Sequence, residues 1–138
     1  MKSLSRKPFY SLIAVIVLGP VLIFFLNIIL IVVLGMKTVD ENRIDKLLHF
    51  FGAVSICFTT AGVLWHLARR KIIDLHDANV FRVLVYGFLC FVMISWEILE
   101  YIVDIGSEYL TYSDTITDMI CGLIGGLFAM FLVRRPTG

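Results

Sequence analysis

Apolar residues along this chain neither alternate nor come in short clusters. They form four long runs, separated by brief polar stretches. The first extends roughly from Phe9 to Leu34 and the second from Ile44 to Ala68. The third extends roughly from Ala78 to Ile105, and the fourth from Ser113 to Val133. At about 1.5 Å rise per residue, each run is long enough as a helix to cross a hydrocarbon core about 30 Å thick. The linkers, of about nine, nine and seven residues, are short enough that successive helices must run antiparallel. The pattern therefore predicts an all-α membrane protein: an antiparallel bundle of four transmembrane helices, forming a single polytopic domain over residues 1–138.

The first run follows Lys2, Arg6 and Lys7, as a secretory leader would. A leader's apolar region spans only about 7–15 residues and ends at a small-residue cleavage site, and neither feature is present here. The run is read as a retained helix, kinked at Pro20, with Asn27 bonding to a neighbouring helix.

Composition agrees with this picture. The chain is 59% hydrophobic with a mean hydropathy of +0.93, above the range of soluble domains. No basic stripe interleaved with aromatics exists, so a nucleic-acid partner is excluded and membrane lipids are the expected surroundings. Cys57, Cys90 and Cys121 each lie inside an apolar run, as small buried hydrophobes do. Lys and Arg are unevenly placed. Nine fall at the two termini and around the second linker, whereas only Lys37, Arg43 and Lys46 flank the first linker. By the positive-inside rule both termini face the cytoplasm, in a multi-pass protein of the cell's inner membrane.

One stretch conflicts with so apolar a setting. "WEILEYIVDI" (96–105) carries Glu97, Glu100 and Asp104, and no Lys or Arg lies between Arg82 and Arg134. A carboxylate near the centre of a bilayer costs about 2.5–3.5 kcal/mol on insertion scales. The topology brings these acids to the same end as Asp45 and His49, at the start of the second helix, and Asp114 and Asp118, at the start of the fourth. Asp45 and His49 are spaced i, i+4, as are Asp114 and Asp118, so each pair shares a helix face. One imidazole and up to six carboxylates, with Lys46 the one neighbouring cation, suggest a bound divalent metal. His49, Glu97, Glu100, Asp114 and Asp118 are the expected ligands, with Asp104 a further candidate. A mixed imidazole and carboxylate set favours Zn²⁺, Fe²⁺ or Mn²⁺ over Mg²⁺ or Ca²⁺. Asp45 and His49 are the candidate catalytic pair, with Asp45 orienting His49 or acting as base. Blander roles exist too: Asp114 near a helix N-cap at Thr111 or Ser113, Asp45 paired with Lys46 or Arg43, and Trp96 as a packing or interface residue.

"GLIGGLFA" (122–129) places Gly122, Gly125 and Gly126 where a small-residue helix-packing face needs them, and that face offers a route to homo-oligomers. No G-x-S-x-G, phosphate loop or H-E-x-x-H is present. The order of "DKLLHFFGA" (45–53), "WEILEY" (96–101) and "DTITDM" (114–119) resembles the YjdF-type family of inner-membrane proteins. More distantly it resembles the VanZ-like proteins associated with teicoplanin resistance. The resemblance implies that Asp45, His49, Glu97, Glu100, Asp114 and Asp118 form the family's shared polar set. The leading functional expectation is a metal-dependent hydrolase or transferase acting on lipid or lipid-linked substrates at the outer face. The rivals are a proton or divalent-cation transporter, and a non-catalytic scaffold or resistance accessory with a structural metal.

Overall fold

A computed structural model describes residues 7–35, 44–75, 77–103 and 111–133, with side chains from residue 18 onward except 27, 31 and 103. Asp104 lies outside the described residues, as does the Asn27 side chain. Four helices follow one another: α1 (Lys7–Leu34), α2 (Ile44–Arg69), α3 (Ala78–Val103) and α4 (Tyr112–Leu132). Among the described residues there is no strand. Ile44–Arg69, Ala78–Ile102 and Tyr112–Leu132 are each long and apolar enough to cross a membrane, and α1 adds the shorter apolar stretch Leu18–Leu34. The architecture is that of an all-α membrane bundle of four helices.

Local chemistry sets the helix ends. Gly35, at φ 80°, follows α1, and Lys71, at φ 58°, follows α2 in the left-handed region. There the Lys71 and Ile72 amides bond back to the Ala68 and Leu67 carbonyls. Asp77 accepts from the Asn79 amide just ahead of α3. Thr111 caps α4, its hydroxyl oxygen accepting from the Asp114 amide at 3.2 Å. Asp114 then sits in the first turn, where the helix dipole favours an anion.

α2 is the centre of the assembly, since α1, α3 and α4 all pack against it. Its tightest partner is α4, which is not its neighbour in sequence and runs parallel to it. The reason lies in the glycines. A Cβ built on Gly125 would stand 2.3 Å from the Phe50 carbonyl oxygen, so the two backbones touch with no room for a side chain. Gly126 accommodates the Leu89 side chain of α3 and Gly122 the Met93 side chain. In lipid the tails are as apolar as leucine, so helices associate through this kind of close approach rather than by escape from solvent. The faces of all three glycines are buried within the chain.

The packed core is small: Ala53, Cys57 and Ala61 of α2, Phe81, Val85, Leu89 and Met93 of α3, and Ala129 of α4. Large apolar side chains elsewhere point outward, Val32 (76% exposed) and Phe131 (89%) among them, as a lipid-facing surface requires. α1 lies along α2, with Gly19 against Ser55 and Gly52 against Ile23, and its backbone does not closely approach α3 or α4.

Gly125→Ala should force α2 and α4 apart. Overpacking of this kind costs about 1–3 kcal/mol. Thermal unfolding in detergent should show a clear loss relative to Gly87→Ala, whose added methyl meets nothing within 4 Å.

Candidate functional site

The first turns of α2 and α4 and the last turns of α3 meet at one end of the bundle, and their polar side chains form two adjoining groups. The first is centred on Lys46. Its ammonium donates to Asp45 Oδ2 at 2.7 Å and to Asp114 Oδ1. Asp118 Oδ1 lies 2.8 Å from the same nitrogen, an ion pair whose angles fall outside hydrogen-bond geometry. A single cation from α2 thus holds one carboxylate of its own helix and two of α4. The spacing brings this about: Asp114 and Asp118 lie one above the other on α4, and the parallel α2 sets the lysine between them.

The second group is centred on His49, one turn deeper along α2. Its Nδ1 is 4.0 Å from Glu97 Oε1 and its Nε2 is 4.0 Å from Asp118 Oδ2. Glu100 completes the group: one ligand-type atom each from His49, Glu97 and Glu100 lies within 4.8 Å of the others. All three side chains are half-buried. Trp96 fixes Glu100 by donating its indole N–H to Oε1 at 2.6 Å. The indole is in turn braced by the edge of Phe24, 5.6 Å away between centroids.

Asp118 joins the two groups. It is 4% exposed, the one buried charged residue among those described, and its two oxygens face Lys46 and His49 respectively. Asp45 uses Oδ2 for Lys46, while its Oδ1 is buried without a hydrogen-bond partner.

Of the candidate residues, Asp45, His49, Glu97, Glu100, Asp114 and Asp118 are therefore gathered at one end. Asp45, Asp114 and Asp118 also come within 4.8 Å of one another, but their common space holds the Lys46 ammonium. Gly122 is one turn below Asp118, where it lets the Met93 side chain and the His49 carbonyl come close. Sequence reasoning treated Trp96 as a packing or interface residue. Its role as the donor to Glu100 was visible only as an i, i+4 spacing, a signal that many packing pairs also give.

A family model described as a predicted membrane protein, DUF2238, matches residues 8–137. The chain belongs to that family, in keeping with its YjdF-type resemblance. No curated protein and no solved structure matches it.

Lys46→Met should be strongly destabilising, because it strands three carboxylates in a partly buried space. Losing one partner of a buried ion pair costs about 3–5 kcal/mol. In a double-mutant cycle with Asp118→Asn, the coupling measured by thermal unfolding should fall in the range of about 0.5–3 kcal/mol expected of contacting residues. Additive losses would show that the pair is not energetically joined.

Proposed function

We propose, for this member of the DUF2238 family, a membrane enzyme whose His49–Glu97–Glu100 group takes a divalent cation and acts on the polar part of a lipid or lipid-linked substrate. The observation that carries this is the convergence of one imidazole and two carboxylates from α2 and α3 beside a third carboxylate, Asp118, from α4. Three protein ligands with a further position available is the arrangement of catalytic rather than structural zinc sites. Such an ion would polarise a phosphoryl or acyl oxygen, or lower the pKa of a bound water. Zn²⁺, Fe²⁺ or Mn²⁺ suits the mixed donors better than Mg²⁺ or Ca²⁺.

The residues divide the work. His49, Glu97 and Glu100 are the ligands, and Asp118 Oδ2 stands beside them on the other edge of the imidazole, 4.0 Å from His49 Nε2. Asp114 and Asp118 Oδ1 hold Lys46, which offsets negative charge that the ion alone would leave. Asp45 keeps one unpaired oxygen a turn above His49 and is the candidate base. Trp96 holds Glu100 in place as an outer partner of a ligand. With both termini cytoplasmic, the group lies at headgroup depth on the outer side of the inner membrane.

The structural reading draws support from one observation, the Lys46 bridge between α2 and α4, which ties helices together without any ion. Cation transport has less support. Away from this end, the facing surfaces of α2, α3 and α4 are the apolar core around Cys57, Ala61, Phe81 and Val85.

Metal analysis of the detergent-purified chain should find about one divalent ion per chain when three to four ligands converge, and none in the double variant His49→Ala, Glu97→Gln. Equal and negligible metal in both proteins would remove the enzyme reading. Trp96→Phe, which leaves every ligand in place but takes the donor from Glu100, should weaken metal affinity by about 10-fold or more. Titration against a competing chelator reads this directly.

A further inference from the structure

α1 and α3 flank α2 with their backbones apart and their side chains meeting at Phe24 and Trp96, and the space between them is a cavity of about 640 Å³. Its walls are almost wholly apolar: Ile23 and Phe25 of α1, Ala53 and Ile56 of α2, Phe88 and Val92 of α3. One end is different. His49 and Trp96 line it there, so the cavity ends on the imidazole and on the indole that holds Glu100. The other end is marked by Thr59 and Thr60, and the Thr60 hydroxyl is already bonded to the Ile56 carbonyl at 2.8 Å.

The geometry points to a binding site for one acyl chain of a membrane lipid, entering sideways between α1 and α3, with its head against His49 and Glu97. Length and wall chemistry select this occupant. From His49 to Thr60 is eleven residues of helix, about 16 Å, which is roughly half of a hydrocarbon core about 30 Å thick. The cavity thus spans one leaflet, starting where polar groups begin and stopping near the midplane. A soluble metabolite has no route to such a wall, and a water-filled space there would leave Phe25, Phe88 and Val92 wetted for no return. Charge adds selectivity at the mouth. Five carboxylates face one ammonium and one imidazole, so the head that fits is cationic, or is anionic and arrives against a divalent ion. The inference deepens the reading above by naming the substrate class. It rests on that reading only for what happens to the head, since the chain site has its own geometry.

The test uses the full chain in vesicles of phosphatidylcholine with a diazirine midway along one acyl chain, illuminated and mapped by peptide mass spectrometry. Label should concentrate on Ile56, Thr59 and Val92, several-fold above the outward-facing Phe91 and Phe131. Gly52→Leu adds a side chain where only Ile23 stands within 4 Å of the new Cβ. It and Val92→Trp should each deplete the cavity label and leave that on Phe131 unchanged. Even labelling of cavity and outer surface overturns the proposal, as does cavity label that survives both variants in folded protein. Disulfide trapping of two copies through Val92→Cys, absent from the unsubstituted chain, also overturns it, because the occupant is then protein. The double variant His49→Ala, Glu97→Gln separates the two readings: metal absent in both proteins with cavity labelling intact ends the enzyme proposal and leaves this one standing.

Discussion

A lysine ammonium held by three aspartates is the constraint around which the polar end of this bundle is organised. Lys46 supplies the one protein cation within reach of Asp45, Asp114 and Asp118 among the described residues. Without it the α2–α4 contact would bring like charges together in a medium that screens them poorly. With it, the same contact becomes a tie between helices and fixes the vertical register of α4 on α2. That register then sets where Asp118 points, and so how close His49 comes to a carboxylate on each side. The metal-binding proposal depends on this division of labour. Charge at the very end of the bundle is met within the protein, and the deeper group of His49, Glu97 and Glu100 keeps donors for something else.

The glycines of α4 and the polar residues of its first turns form one design. Gly122 and Gly125 bring the α2 and α4 backbones together directly below the ion pairs. A wider spacing would lengthen both contacts from Lys46 to α4, those with Asp114 and Asp118. Packing energy and electrostatics are therefore coupled here: the small residues set the distance at which the charges act. Trp96 does something similar on the other side, linking Glu100 to Phe24 and hence to α1.

Much of this was legible in the chain. Four apolar runs gave four helices, and the i, i+4 spacings of Asp45 with His49 and of Asp114 with Asp118 placed each pair on one face. The chain order then brought those faces to the same end. What hydropathy does not encode is which helices touch. When every face of a helix is apolar, no stripe marks the partner, and short linkers point to sequential neighbours. The parallel seam of α2 with α4 was written only in the spacing of Gly122, Gly125 and Gly126, which suits a partner inside the chain as well as a second copy. Lys46 was equally open, since a lysine in the first turn of a membrane helix can extend into the headgroups as readily as it can turn inward. The three carboxylates around it decide the matter, and two of them come from a helix whose nearer acid, Asp114, is 68 residues away.

That separation bears on how the protein is made. Chains emerge from the ribosome at about 5–20 residues per second and fold in the order they appear. α2 therefore enters the bilayer well before its main partner has been synthesised. Until α4 arrives, Asp114 and Asp118 are absent and Asp45 is the lysine's one close acid. The seam that defines the mature protein is thus the last to close, and until then Lys46 lacks two of its three acidic partners.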